Sequence, residues 1–122
     1  MDTYVVIIEA SGVMRREPFN TEGSLTQLQE AVGGYIERLP TVLMRGHDCF
    51  INEEGKLLNL PLNTVLTNHY NKTRRNCDWV VGNGVFAAHD EEGETLGLTQ
   101  AQCEDIERML SSFGAVKAGG AL

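Results

Sequence analysis

Residues 24–60 constrain the fold most strongly, because a helical pattern, a proline stop and a turn follow one another there. Ser24 and Gln27 have the spacing of a capping box, in which each side chain satisfies a backbone N–H at the start of a helix. Pro40 cannot donate a backbone hydrogen bond and restricts the residue before it. A helix is therefore predicted over residues 25–39. Its apolar face carries residues at offsets of three and four: Leu25, Leu28, Val32, Ile36 and Leu39.

Two glycines interrupt this helical pattern. Each glycine inside a helix costs roughly 1 kcal/mol relative to alanine. Gly33 flanks the apolar face, so close contact with a strand can account for it. Gly34 lies almost opposite that face. Either Gly34 is a tolerated weak point or kink in the helix, or a ligand or second subunit approaches the backbone there.

After the helix, the sequence predicts a β-hairpin. Residues 41–44 have a strand pattern, and residues 47–51 and 56–60 are predicted to pair as the two hairpin strands. The connection at residues 52–55, Asn-Glu-Glu-Gly, suits a type I turn with the glycine in the left-handed conformation.

The rest of the chain alternates strand and helix patterns. Asn63 is predicted to cap a short helix, and Trp79 is a predicted core residue of a later strand. Thr99 and Gln102 form a second capping box, and Gly114 is a natural stop for the helix that it opens. Strands are predicted at residues 4–10, 13–19 and 78–88, and the short helix at residues 64–71.

Together these elements predict an α+β fold. At 122 residues the chain suits a single domain. The element order is ββαββαβα, which predicts one mostly antiparallel sheet with three helices on it. Residues 1–114 are expected to form the domain, and residues 115–122, which are small and weakly hydrophobic, a flexible C-terminal tail.

Charge and composition exclude several classes of protein. The formal net charge of −7 argues against general nucleic-acid binding, which requires a basic face. No apolar run approaches the ~20 residues that span a bilayer. The N-terminus lacks the basic region of a secretory signal, and three widely spaced cysteines do not form a disulfide framework. A cytoplasmic protein that does not bind membranes is therefore expected.

Four stretches of the sequence stand out together: LQEAVGGYIE (28–37), NEEGK (52–56), LPLN (60–63) and DWVVG (78–82). In this order they resemble the successive motifs of one protein family, which is catalogued as domain of unknown function 3846 and is carried mainly by bacteriophages and the bacteria that host them. The similarity covers roughly residues 4 to 110. The family's pattern has an alanine soon after Asn63, where this chain has Thr64-Val65-Leu66. The resemblance implies a phage accessory protein but no particular reaction.

The sequence shows little that predicts catalysis or metal binding. His47, Asp48 and Cys49 include a base, an orienting carboxylate and a nucleophile. However, neighbouring strand residues point to opposite faces, so Asp48 cannot join the other two, and Cys49 is better interpreted as a core residue. The three histidines lack metal-ligand spacing. No catalytic residue, metal or cofactor is therefore predicted.

One basic cluster stands out from the acidic chain and predicts a binding site. Lys72, Arg74 and Arg75 are expected to contact phosphate, because cationic side chains, arginine above all, suit it. The same residues also fit a solvated loop beside a core tryptophan. The other candidate contacts are Tyr35 or Trp79 for a base, Asn52 or Asn63 for a ribose or base edge, and the backbone of Gly34 at the pocket or a subunit contact.

These residues and the phage setting lead to three functional hypotheses. The first is a non-enzymatic, homo-oligomeric phage protein that sequesters a small nucleotide immune signal in the host cytoplasm, by analogy with compact phage sponges. The signal would be of the cyclic ADP-ribose type or a cyclic dinucleotide. The second is an acidic interaction protein, either a DNA mimic or an inhibitor of a host enzyme. The third is a signal-degrading hydrolase. The second would use Asp90, Glu91, Glu92, Glu94, Glu104, Asp105 and Glu107.

Overall fold

The computed structural model describes residues 2–40, 47–72 and 78–119 of the chain. Within them, three helices pack on one mostly antiparallel sheet of seven strands, which confirms the predicted α+β class. The elements are β1 (Tyr4–Ile8), β2 (Val13–Pro18), α1 (Ser24–Val32), β3 (Ile36–Leu39), β4 (His47–Asn52), α2 (Thr64–Asn71), β5 (Gly84–His89), β6 (Thr95–Leu96), α3 (Gln100–Ser112) and β7 (Val116–Lys117). The order differs from the predicted one because β6 follows β5 and β7 follows α3.

Strand β1 lies inside the sheet and joins two hydrophobic clusters. The strand order is β3-β4-β5-β1-β2-β7, with β6 paired to β5, and among the strands of the described residues only the β2–β7 pair is parallel. Val6 and Ile8 of β1 belong to a cluster with residues of α2 and α3. Val5 and Ile7 belong to a second cluster with residues of α1. The uninterrupted apolar run of residues 5–8 accounts for this burial on both faces of the strand.

Helix α1 is shorter than predicted, because the two glycines end it. Gly33 adopts the left-handed conformation, with φ of 79°, and its N–H and that of Gly34 both donate to the carbonyl of Gln29, at 2.8 and 3.1 Å. Residues 36–39 then form β3, so the helix prediction was wrong beyond Val32. The start differs as well, because Gly23 is the N-cap and Gln27 instead bonds the backbone of Pro18 and Asn20.

The predicted hairpin was also wrong. Strand β4 pairs with β3 on one side and with β5 on the other, and residues 53–59 form a turn. Asn59 has a φ of 54°, and Leu57 and Leu58 are exposed, so residues 56–60 form no strand. The predicted strand at residues 41–44 lies outside the described residues.

The signals at the other two helices were confirmed. The side chain of Asn63 accepts from Leu66 N–H at the start of α2, and Thr99 and Gln102 form a reciprocal capping box at α3. Gly114 follows α3 with a φ of 100°. The segment predicted as a tail contains β7, which pairs with β2.

Candidate functional site

A cleft of about 350 Å³ lies beside β3 and β4, where the turn after β4 and the segment before β5 meet. Among the described residues, three acidic and two basic side chains line it together with one tryptophan. A cleft of this size falls within the range of small-molecule sites. The lining residues are Glu37, Arg38, Leu39, Pro40, Ile51, Asn52, Glu53, Gly55, Lys56, Leu57, Tyr70, Asp78, Trp79, Val80 and Val81.

Asn52 fixes the turn that forms one side of the cleft. Its buried amide donates to the carbonyl of Val32 at 3.1 Å and accepts from the N–H of Glu54 at 2.8 Å. A Cβ at Gly34 would lie 2.8 Å from the Asn52 amide nitrogen, so only glycine allows this approach. The side chain that approaches the Gly34 backbone is therefore supplied by the chain's own Asn52.

Hydrogen bonds to α2 fix the opposite side of the cleft. The Asn71 side chain bonds both the carbonyl and the N–H of Asp78, at 2.8 and 3.1 Å. The Thr67 hydroxyl accepts from the N–H of Val80 at 2.9 Å. Trp79 lies between these two anchored residues, so its backbone position is set by α2.

Lys56, Asp78 and Trp79 form a compact cluster at the cleft. The Lys56 Nζ lies 2.7 Å from Asp78 Oδ1 and 4.4 Å from the centroid of the Trp79 ring. The Lys56 hydrogen bond, and then the N–H of Trp79, hold the pKa of the Asp78 carboxyl below its ordinary value. The cluster therefore combines an ion pair with a cation–π contact. Trp79 is 55% exposed, which corrects its prediction as a core residue.

The structure brings two of the predicted site residues, Asn52 and Trp79, to the cleft. Tyr35 is exposed, and its carbonyl accepts from the N–H of Glu53 in the turn. Lys72 is exposed at the end of α2. Arg74 and Arg75 lie outside the described residues.

Asn63, the remaining predicted contact, is fully buried. Besides capping α2, its amide donates to the carbonyls of Ile8 and Gly82, at 3.2 and 2.9 Å. These bonds occupy both ends of the amide, so the side chain connects α2 to the sheet.

Sequence reasoning missed Lys56 and Asp78 as partners. They are 22 positions apart, and each stands at the start of a predicted strand, Lys56 in the hairpin and Asp78 in the strand at residues 78–88. The available signal was the resemblance, since both residues belong to the motif stretches. Hydrogen bonds join those stretches in the fold, from Asn52 to Val32 and from Asn63 N–H to the Val80 carbonyl.

Asp48 and Cys49 of the His47-Asp48-Cys49 sequence lie in different environments, Cys49 in the core and Asp48 against basic side chains. Burial, with a smaller contribution from the Asp48 charge, raises the pKa of the Cys49 thiol. Asp48 instead contacts His89 Nδ1 at 2.8 Å and Arg38 at 3.5 Å. The buried thiol has the environment of a core residue, in agreement with its interpretation from the sequence.

The acidic residues proposed for an interaction protein differ in their exposure, because some are bonded within the fold and others face solvent. Glu107 is buried and accepts two hydrogen bonds from Arg16, at 2.7 and 2.8 Å. Asp90 accepts from the N–H groups of Glu92 and Glu94 within the turn between β5 and β6. The exposed members are Glu91, Glu92, Glu94, Glu104 and Asp105.

Across residues 2–40, 47–72 and 78–119, no group of three or more histidine, cysteine, aspartate or glutamate side chains is arranged to hold a metal ion. Within the same residues, no helix has the length and apolarity needed to cross a membrane.

Comparison with known proteins places the chain in a family. The sequence model described as Domain of unknown function (DUF3846) matches residues 1–111, so the chain belongs to that family. Searches of curated proteins and of solved structures gave no significant match.

Proposed function

We propose that this member of the DUF3846 family binds a small phosphorylated nucleotide in the cleft at Lys56 and Trp79 and holds it without cleaving it. The observation that carries the proposal is the exposed Trp79 indole beside the Lys56 ammonium, in a cleft of about 350 Å³. A planar ring and a cation side by side are the complementary groups for a base and its phosphate.

The indole supplies the contact for a base. Trp79 is the only tryptophan of the chain and is half exposed at the cleft. Stacking of a base on an aromatic side chain is worth about 1–3 kcal/mol and suits every base, because each has a π-face. Anchored backbone on both sides of Trp79 reduces the entropy lost on binding.

Cationic groups supply the contact for phosphate. Lys56 and Arg38 line the cleft, and Lys72 lies at the end of α2. Arg74 and Arg75 complete the basic cluster that the sequence predicts for phosphate, and both lie outside the described residues.

The acids of the site restrict the ligand to a compact one. Glu37, Glu53 and Asp78 line the same cleft, and the whole chain carries a net charge of −7. A long polyanion would meet this negative surface along its length, whereas a mononucleotide or cyclic dinucleotide can place its phosphate at Lys56 and Arg38 and meets fewer of the acids.

The biological role that we propose is sequestration of a nucleotide immune signal by a phage protein in its host's cytoplasm. The phage setting comes from the family resemblance. A tight binder that is present above the signal's concentration holds the free signal below the threshold of its receptor by mass action. A homo-oligomer would serve this role by presenting several clefts per particle.

Native mass spectrometry tests both parts of the proposal. The protein would be purified from cells that make cyclic dinucleotides or cyclic ADP-ribose isomers and measured before and after denaturation. We expect a bound nucleotide mass on the native protein and the same mass, intact, after denaturation. Release of a cleaved product would favour the hydrolase hypothesis, and absence of any nucleotide across the panel would contradict the proposal.

The exposed acids support one alternative, an acidic interaction protein. Glu91, Glu92 and Glu94 project from one turn, and Glu104 and Asp105 lie on α3. On this alternative, charge reversal at these positions abolishes a salt-sensitive complex with a host protein, and the Lys56–Trp79 cleft plays no part.

A further inference from the structure

We infer that Asp78 competes with the ligand's anionic group for Lys56, so that the cleft selects molecules that carry both a planar ring and an anion. This inference rests on the proposed function and adds a specificity-determining residue to it. Asp78 acts on the ligand through Lys56 and is a positioning residue.

The Lys56 ammonium contacts Asp78 and the Trp79 ring, and a nucleotide would have to compete with both contacts. At 2.7 Å from Asp78 Oδ1 it is paired with a carboxylate, and at 4.4 Å from the Trp79 centroid it covers one face of the indole. A base that stacks on that face must move the ammonium, and a phosphate that binds the ammonium meets the Asp78 carboxylate, whose negative charge repels it and competes for the same cation.

The ion pair is exposed enough to exchange. The side chains of Lys56 and Asp78 are 47% and 48% exposed. Ion pairs in such surroundings contribute little net free energy, because water solvates each partner well when they separate. The Asp78 carboxylate also keeps its hydrogen bond from the Trp79 N–H, at 2.8 Å, when Lys56 leaves.

Replacement of the two Lys56 contacts favours a ligand that carries both a base and a phosphate over a ligand that carries only one of them. A nucleoside uncovers the indole but offers Lys56 no anion, and inorganic phosphate takes Lys56 from Asp78 without stacking on the indole. A nucleotide does both in one event, since its phosphate neutralises the moved ammonium while its base takes the uncovered face. The cleft is therefore expected to bind AMP at least tenfold more tightly than adenosine or inorganic phosphate.

The experiment compares Asp78→Asn with a variant that has the same change of charge elsewhere. Asparagine keeps an oxygen that can accept from the Trp79 N–H but removes the charge that competes for Lys56. Asp105→Asn is the matched control, because Asp105 forms an exposed ion pair with Arg108 at 2.9 Å on α3 and does not line the cleft. Asp78→Glu, which keeps a carboxylate, is a second control.

The single Trp79 indole N–H signal in ¹H–¹⁵N spectra reports binding of AMP, adenosine and phosphate to the full chain. We expect Asp78→Asn to bind AMP about two- to fivefold more tightly than the native protein. This fold-change corresponds to the free energy that an exposed ion pair contributes. Asp78→Glu and Asp105→Asn should stay near the native affinity.

Equal gains in Asp78→Asn and Asp105→Asn would overturn the inference, because net charge alone would then explain them. Native affinities for adenosine and AMP that are equal would also overturn it, as would an indole signal that AMP does not move in any variant. Nucleotide bound in native mass spectra together with an unchanged Asp78→Asn affinity would refute the role of Asp78 and leave the proposed function standing.

Discussion

At the scale of single residues, two asparagines and a tryptophan show how position decides role. Asn52 and Asn63 were predicted to contact a ligand, and both amides are bonded to the protein backbone. Trp79 was assigned to the core and lies half exposed at the cleft. A polar or aromatic residue type indicates which contacts are available, but the neighbouring backbone groups decide which contacts form, and the sequence does not display those neighbours.

Replacing Trp79 tests the proposed base contact. We expect Trp79→Ala to weaken nucleotide binding by about 1–3 kcal/mol, because the stacking surface is lost, while the fold is kept because the side chain is half exposed. Calorimetric titration measures the affinity. Leu58→Ala is the matched control, since Leu58 is an exposed apolar residue of the adjacent turn that does not line the cleft. An equal loss in both variants would argue against stacking.

Replacing Asn63 tests a structural role. Asn63→Ala removes the cap of α2 and leaves two buried carbonyls without their donor. We expect a loss of about 2–4 kcal/mol in the free energy of unfolding, measured in urea. Asn63→Asp can still cap the helix but cannot donate to the two carbonyls, so we expect it to be at least as unstable as Asn63→Ala. Native stability with lost nucleotide affinity in Asn63→Ala would instead make Asn63 a ligand contact.

At the scale of elements, prediction succeeded where local hydrogen bonds decide the structure. The starts of α2 and α3 depend on side chains that bond the backbone within three residues, so the sequence contains the whole signal. Helix α1 was mispredicted because Ile36 and Leu39 continue the helical spacing by coincidence. They belong to β3, where pairing with Asn52 and Cys49 of the neighbouring strand replaces helical bonds.

The Gly34–Asn52 contact gives a prediction for the end of α1. Gly34→Ala places a methyl group 2.8 Å from the Asn52 amide nitrogen, so the bond to the Val32 carbonyl must break or shift. We expect a loss of about 1–3 kcal/mol in the free energy of unfolding. In an Asn52→Ala background the same substitution should cost much less, because the clashing group is gone. Additive losses in the double variant would show that the two residues are not coupled.

At the scale of the whole molecule, β7 and the cleft were beyond sequence reasoning for the same reason, whereas β6 pairs with the neighbouring β5 and, with two residues, is too short to show a strand pattern. Strand β7 exists because the distant strand β2 supplies its partners. The cleft likewise forms from residues 22 positions apart that meet only in the folded chain. The fold class could be predicted, because it depends on the order of elements and on the apolar run of β1.

Global stability should depend on pH through His69. This ring is buried between α2 and α3, against Phe113 at 5.5 Å, and neither nitrogen has a hydrogen-bond partner within the part of the chain that the structure describes. Burial lowers its pKa in the folded state below the ordinary value of 6.5. Between those two pKa values the unfolded chain binds more protons, so the free energy of unfolding falls as pH decreases below about 6.5.

Urea unfolding at a series of pH values measures this dependence. Below about pH 6.5, the free energy of unfolding of His69→Leu should depend less on pH than that of the native protein. His89→Gln, a substitution at an exposed histidine, should keep most of the native pH dependence. A His69→Leu curve with the native slope would show that other groups cause the pH dependence.

Binding of a compact nucleotide in the cleft at Lys56 and Trp79 can be followed through the fluorescence of the only tryptophan in the chain. Cyclic dinucleotides, cyclic ADP-ribose and AMP would be titrated into the full chain with excitation on the red edge of the indole band. We expect a saturable change in emission for at least one of them, with one ligand per cleft, and a much weaker response in Lys56→Gln. Emission that stays constant for every nucleotide, or a response that Lys56→Gln leaves unchanged, would show that this cleft does not bind a nucleotide.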